Sequence, residues 1–113
     1  MQFAQEKECA SLKNNVMQRI DEFRALAHKE QDDATKYAIL NIAFYLEDGL
    51  SVLHAKEYFS DIQHVLNNNL KTLQESSPSL LKLAHSVIDM ALSSLATLEI
   101  KCTSLSLFNR HKH

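Results

Sequence analysis

Four side chains of types that bind metal ions are regularly spaced near the middle of the chain: His54, Glu57, Asp61 and His64. On one continuous helix their spacings of three and four residues would place them on a single face. Two imidazoles and two carboxylates could hold a divalent cation there. Di-metal helix bundles, however, use Glu-x-x-His motifs in pairs on core-facing helices, and this sequence has one related match, DIQH, without a second copy. We therefore interpret the four residues as a solvated polar face, with a metal-binding bundle as the alternative.

One of the six histidines, His85, lies in the segment LAHSVIDMALSSLA. That segment resembles the acceptor segment of histidine phosphotransfer domains, which are four-helix bundles of similar size. In that family lysine and glycine follow the acceptor histidine by three and four residues. Here Ile88 and Asp89 hold those positions, and a carboxylate one helical turn from the acceptor would repel a phosphoryl group. The resemblance therefore implies phosphotransfer as an alternative function, and we prefer a surface His85–Asp89 pair.

The two cysteines, Cys9 and Cys102, have no Cys-x-x-Cys spacing and lie on predicted core faces. We expect both to be reduced, as small buried apolar residues of a protein in the reducing cytoplasm. A single glycine cannot build a phosphate-binding loop, and the chain has few of the long loops that often carry catalytic groups. The sequence therefore predicts no enzyme activity, no cofactor and no metal.

The composition predicts an all-α fold. One Gly and one Pro in 113 residues leave few turn residues to connect strands, and the length suits one domain, residues 1–113. The net charge of −2 and the pI of about 6.3 give no electrostatic basis for binding nucleic acid or an anionic membrane. No apolar run has the length of a membrane span, and the first residues do not have the pattern of a secretory signal.

Helical periodicity and capping residues predict four helices, at about residues 3–29, 33–55, 58–76 and 79–109. Asp32 or Asp33 can cap the second helix. Pro78, with Ser77 and Ser79 beside it, marks the start of the last helix. The apolar stripes of these helices match in an antiparallel up-down-up-down four-helix bundle with short loops.

The position of the turn between the second and third helices has two solutions. Gly49 offers a helix end at 47–51, whereas a turn within 54–60 aligns ten apolar residues opposite one another. Because glycine inside a helix costs only about 1 kcal/mol, we predict the turn at 54–60 and keep Gly49 as the alternative. The facing pairs would be Ile39 with Leu73, Ile42 with Leu70, Leu46 with Leu66, Leu50 with Ile62, and Leu53 with Phe59.

The register of the first helix against the last also has two solutions, which differ by one heptad. In one register Cys9 faces Cys102 and Val16 faces Leu95. In the other register Cys9 faces Leu95. We prefer the first, because it matches the helix ends that short loops would produce.

The second helix has one polar side chain, Asn41, in the ten residues 37–46. If Ile42 points inward, Leu40 and Phe44 lie about 160° away from it at 100° per residue. The last helix carries a similar surplus of apolar residues, and a contiguous exposed apolar set marks an interface. We predict a homodimer or another protein partner at these interface residues: Tyr37, Leu40, Phe44, Leu83, Val87 and Met90.

The style of composition in VLNNNLKTLQESSPSLLKLAH, rich in Leu, Asn, Gln, Lys and His, resembles small helical proteins of intracellular bacteria such as Legionella. Some of those proteins regulate the enzymes of other secreted effectors. The resemblance implies delivery by a signal-peptide-independent secretion system. We therefore expect a helical protein–protein interaction module that acts as an inhibitor, adaptor or chaperone of a partner protein and self-associates.

Overall fold

The computed structural model describes residues 2–52 and 54–98, with side chains for residues 7–52 and 54–97. All regular structure in these ranges is helical, which confirms the predicted all-α class. Helix α1 spans Gln2–Ala25 and is followed by a 3₁₀ turn at Leu26–Lys29. Helices α2 to α5 then span Asp33–Ser51, Ala55–Asp61, Gln63–Ser76 and Pro78–Leu98.

The described part of the chain contains five α-helices where the sequence predicts four, because the third predicted helix is divided at Ile62. This residue has φ −97° and ψ 9° and belongs to neither α3 nor α4. The interruption is slight. The Ile62 N–H still donates to the Tyr58 carbonyl at 3.0 Å, and the Leu66 N–H donates to the Ile62 carbonyl at 3.1 Å.

The starts of α2 and α5 lie where the capping residues predict them. The Asp32 carboxylate accepts hydrogen bonds from the Thr35 backbone N–H at 3.0 Å and from the Thr35 hydroxyl at 2.7 Å. Both bonds lower the pKa of Asp32, and the bond from the Thr35 hydroxyl has the larger effect. At the start of α5 the Leu80 N–H donates to the Ser77 hydroxyl at 3.4 Å, and Pro78 is the first helical residue.

Helix α2 ends at Ser51 and α3 begins at Ala55, so the second helix ends earlier than the predicted turn at 54–60. Gly49 is buried inside α2 and has no positive φ, so it does not itself end the helix, although α2 ends within the alternative range of 47–51. The Phe59 ring of α3 packs directly on this glycine. A Cβ atom at position 49 would come within 2.9 Å of three ring atoms, Cε1, Cε2 and Cζ. Close packing of the two helices therefore requires glycine at position 49. The backbone conformation at this position does not require it.

The helices pack side by side in an elongated molecule of 49 × 24 × 21 Å. Helix α1 packs against α2 and α5, and α4 packs against the same two helices. The inner stripe of α2 lies at the centre of the resulting core. The largest side chains with almost no exposure are Phe23, Ile20, Ile39, Ile42, Leu46, Leu73, Val16 and Thr35.

Three predictions depend on residues outside the described ranges and stay predictions. They are the contact of Leu53 with Phe59, the continuation of the last helix to residue 109, and the register that brings Cys102 opposite Cys9. The extent of the single domain over 1–113 is likewise a prediction.

Candidate protein-binding surface

The outer face of α2 carries two exposed aromatic side chains, Tyr37 and Phe44. Their exposed fractions are 61% and 57%, although both belong to a helix whose opposite face is fully buried. They are seven residues apart, which corresponds to two helical turns and about 10 Å. The Phe44 ring makes an edge contact with Tyr45 at a centroid distance of 5.3 Å. We call Tyr37, Leu40, Asn41 and Phe44 the α2 face.

Leu40 lies between the two aromatic residues but is less exposed than they are. It is half-buried and packs against the core. The structure therefore places the centre of the candidate surface at Tyr37 and Phe44, with Leu40 as a supporting residue on the side toward α1. A contiguous exposed apolar patch of this kind marks a candidate interaction site.

Polar contacts fix both flanks of the α2 face. On the α1 side Glu47 is paired with Arg24, whose guanidinium also contacts the Asp21 carboxylate at 2.7 Å. On the α4 side the Asn41 amide donates to the Asn69 side-chain oxygen at 3.3 Å. Since α2 is held from both sides, its outer face is a rigid surface with an apolar centre.

A further contact ties the C-terminal end of α2 to α3. The Tyr58 hydroxyl donates to the Asp48 carboxylate at 2.7 Å. Burial, together with this hydrogen bond and the negative charge of Asp48, raises the pKa of Tyr58 to about 12. The phenol therefore stays protonated and keeps donating throughout the neutral pH range.

The predicted interface residues of α5 occupy different environments. Leu83 is 41% exposed, whereas Met90 is half-buried and packs against the core. Val87 is only 6% exposed. It therefore belongs to the core of this chain, and its prediction as an interface residue is wrong. Leu92, which the sequence analysis did not select, is 40% exposed.

Leu92 lines a groove with a volume of ≈ 370 Å³ between the α3–α4 pair and α5. Phe59, Leu66 and Ile88 also line it, and His85 and Asp89 contribute polar groups. The groove forms where α3 packs on α2 and α4 but hardly touches α5. His85 and Asp89 are both exposed, and the contact between them stays a prediction.

The four regularly spaced histidine and acidic residues do not share one helix. His54 precedes α3, Glu57 and Asp61 lie in α3, and His64 lies in α4 beyond the Ile62 interruption. All four are exposed. Within residues 2–52 and 54–98, no three His, Cys, Asp or Glu side chains are grouped closely enough to hold a metal ion.

Cys9 is half-buried on α1 and forms a disulfide bond. The prediction of a reduced cysteine is therefore wrong at this position. The other cysteine of the sequence, Cys102, lies outside the described residues. Because disulfides are rare in the reducing cytoplasm, the cysteines no longer support a cytoplasmic location.

Comparison with known proteins assigns the chain to no family. No family model matches it, and no curated protein or solved structure is significantly similar to it. In the ranges 2–52 and 54–98, no helix has both the length and the apolar content needed to cross a membrane. A functional proposal therefore has to come from the surface itself.

Proposed function

We propose that this chain is a small helical protein-binding module and that the α2 face is its binding surface. The observation that carries the proposal is the pair of aromatic side chains, Tyr37 and Phe44, exposed on a helix that is fixed from both flanks. In the proposed function the chain regulates a partner protein as an inhibitor, adaptor or chaperone. It acts by binding, is not an enzyme and needs no cofactor.

The energetics of burial support this proposal. Fully burying one large apolar side chain stabilises a complex by about 1.5–3 kcal/mol, so both aromatic residues together provide a substantial gain. Aromatic residues are also enriched in the buried centres of interfaces. A helix that is already ordered pays little conformational entropy on binding. The α2 face combines these three properties.

We also propose that the architecture is a four-helix bundle in which α3 and α4 act as one interrupted helix. The hydrogen bonds across Ile62 support this arrangement, since they nearly continue the helical ladder. The cross-section of 24 × 21 Å also suits two helices by two, because neighbouring helix axes are about 8–10 Å apart. A bundle of this kind would present the α2 face as one of its outer ridges.

The biological setting that we propose follows the resemblance to small helical proteins of intracellular bacteria. The partner would then be a protein of the secreted effector system, such as an enzyme that the module inhibits or assists. Export by a signal-peptide-independent secretion system belongs to the same proposal.

The experiment compares Tyr37→Asp and Phe44→Asp with a matched control, Leu92→Asp, at an exposed leucine of α5 that is not among the predicted interface residues. Circular dichroism reports the fold, and affinity capture with mass spectrometry reports the partner. We expect all three variants to keep the parent helicity, and only the two α2 variants to lose the partner. Leu40 is not suitable for this test, because its side chain also packs against the core.

Two results would contradict the proposal. Capture of the same partner by both α2 variants would show that the α2 face is not the binding surface. Loss of the helical signal in Phe44→Asp would assign the side chain a role in stability, because a charge in the core unfolds a small domain.

A further inference from the structure

We infer that the α2 face binds a second copy of this chain, with the two α2 helices antiparallel about a two-fold axis between residues 40 and 41. This inference rests on the proposed function of the α2 face and names its partner. Two-fold dimers are the commonest symmetric assemblies, and their interfaces must be self-complementary. The aromatic and aliphatic residues of the α2 face meet this requirement, and so do the charged residues Lys36 and Glu47 beside it.

The aromatic pair is symmetric about the proposed axis. Tyr37 and Phe44 lie at equal distances on either side of it, about 5 Å along the helix at 1.5 Å per residue. In an antiparallel pair Tyr37 therefore meets the partner's Phe44, and Phe44 meets the partner's Tyr37. Aromatic pairs of this kind contribute more than their buried area alone. Both exposed rings would be covered in one contact.

The two residues between the rings also meet their own counterparts. At 100° per residue, Leu40 and Asn41 lie about 50° to either side of the line through Tyr37 and Phe44. A two-fold axis perpendicular to the helices keeps each residue on its own side of the contact. Leu40 therefore packs on the partner's Leu40, and Asn41 lies beside the partner's Asn41, where their amides can exchange hydrogen bonds.

Charge supports the same arrangement. Lys36 and Glu47 are both half-buried residues on the Leu40 side of the α2 face. From the axis they lie at about 7 Å and 10 Å along the helix, so Lys36 comes to nearly the same level as the partner's Glu47. The contact occurs twice in the dimer. Glu47 already touches Arg24, so each acidic group would lie between two cations.

One pair opposes the arrangement. Asp33 and the partner's Asp48 come to the same level along the helices, but they lie on opposite sides of the line through Tyr37 and Phe44. Asp33 is in the first turn of α2, where the helix N-terminus stabilises negative charge. Asp48 accepts the Tyr58 hydrogen bond. Both charges are therefore partly compensated within each copy, whereas each Lys36–Glu47 contact adds a second cation beside Glu47.

Thiol cross-linking tests the axis directly. We expect purified Asn41→Cys protein to form a covalent dimer under mild oxidation, because only residues beside the two-fold axis meet their own copies. Asn41 is exposed, and the substitution removes only its exposed hydrogen bond to Asn69, so circular dichroism of the variant verifies the fold. The comparison position is Leu83→Cys, an exposed and equally predicted interface position on α5, which should remain uncross-linked if the α2 face forms the dimer. The parent protein controls for exchange with the Cys9 disulfide.

Charge reversal tests the orientation. Light scattering and analytical ultracentrifugation should show that Lys36→Glu and Glu47→Lys each weaken self-association on the order of tenfold or more, because like charges then face each other. An equimolar mixture of the two variants should recover dimer formation, since opposite charges face again in the mixed dimer. Circular dichroism of each variant verifies the fold, because Glu47→Lys also removes the Arg24 pair.

The results separate this inference from the proposed function. A monomeric parent protein whose Phe44→Asp variant nevertheless loses a different partner would overturn the two-fold dimer and keep the α2 face as a binding surface. A dimer that cross-links through Leu83→Cys and not through Asn41→Cys would overturn the inference too. A dimer unaffected by Phe44→Asp would overturn the inference, and continued capture of a different partner by the same variant would overturn the proposed function as well.

Discussion

Helices α2 and α5 both carry a surplus of apolar residues, but the exposure of those residues differs. Phe44 lies about 160° from the inward residue Ile42 and is 57% exposed. Val87 lies only about 60° from the inward residue Ala84 and is 6% exposed. Leu83, at about 100° from Ala84, is intermediate at 41%. The angular distance from the inner stripe, and not the surplus of apolar residues, therefore decides which side chains remain available to a partner.

The largest expected effect comes from comparing a charge at a buried position of α5 with a charge at an exposed position of the same helix. Val87→Asp should unfold the domain or destabilise it by several kcal/mol, because the carboxylate would be buried without a partner. Leu83→Asp, four residues earlier, should change the free energy of unfolding by no more than about 0.5 kcal/mol. Urea denaturation followed by circular dichroism measures both. Equal stability of the two variants would show that Val87 is not more deeply buried than Leu83.

The next effect concerns the inner side of α2. Gly49→Ala should lower the free energy of unfolding by about 1–2 kcal/mol, because overpacking against the Phe59 ring outweighs the helix propensity of alanine. In a Phe59→Ala background the same substitution should stabilise the protein or leave it unchanged. Thermal and urea denaturation of the four proteins in this cycle test the contact. A stabilising Gly49→Ala in the parent would show that the ring does not pack on the glycine.

The smallest effect concerns the contact between α2 and α3 at Tyr58. Tyr58→Phe should cost about 1 kcal/mol, the usual net value of one hydrogen bond. The folded state raises the phenol pKa from 10.0 to about 12, so this stabilisation is complete below pH 10 and is lost as the pH rises toward 12. Unfolding curves at pH 7 to 12 should therefore converge for parent and variant at high pH. Parallel curves would assign the cost to packing instead.

Much of the fold could be predicted from the sequence because its signals are local. The shortage of glycine and proline indicates helices, Asp32 and Pro78 mark helix starts, and the spacing of Ile39, Ile42 and Leu46 identifies the inner face of α2. Each of these depends on a few neighbouring residues. The same helical geometry correctly placed Tyr37 and Phe44 on the surface.

The errors arise where one helix depends on another. Helix α2 ends at Ser51, before the predicted turn, and the contact between Gly49 and Phe59 joins two helices and has no local signature. The position of Gly49 inside α2 agrees with the preferred prediction. The interruption at Ile62 has no glycine or proline to mark it. Val87 is buried because neighbouring helices cover the flank of α5. The groove beside Leu92 likewise reflects the relative placement of α3, α4 and α5.

The length of α3 has a consequence for local unfolding. Seven residues are far too few for a helix that is stable by itself in water, so α3 persists through the Phe59 ring and the Tyr58 hydroxyl. A non-helical connection after Ser51 separates it from α2, whereas backbone hydrogen bonds across Ile62 join it to α4. We therefore expect α3 to unfold locally from its Ala55 end while the central core remains folded. Its backbone amides would exchange with solvent by local opening, and those at the centre of α2 by global unfolding.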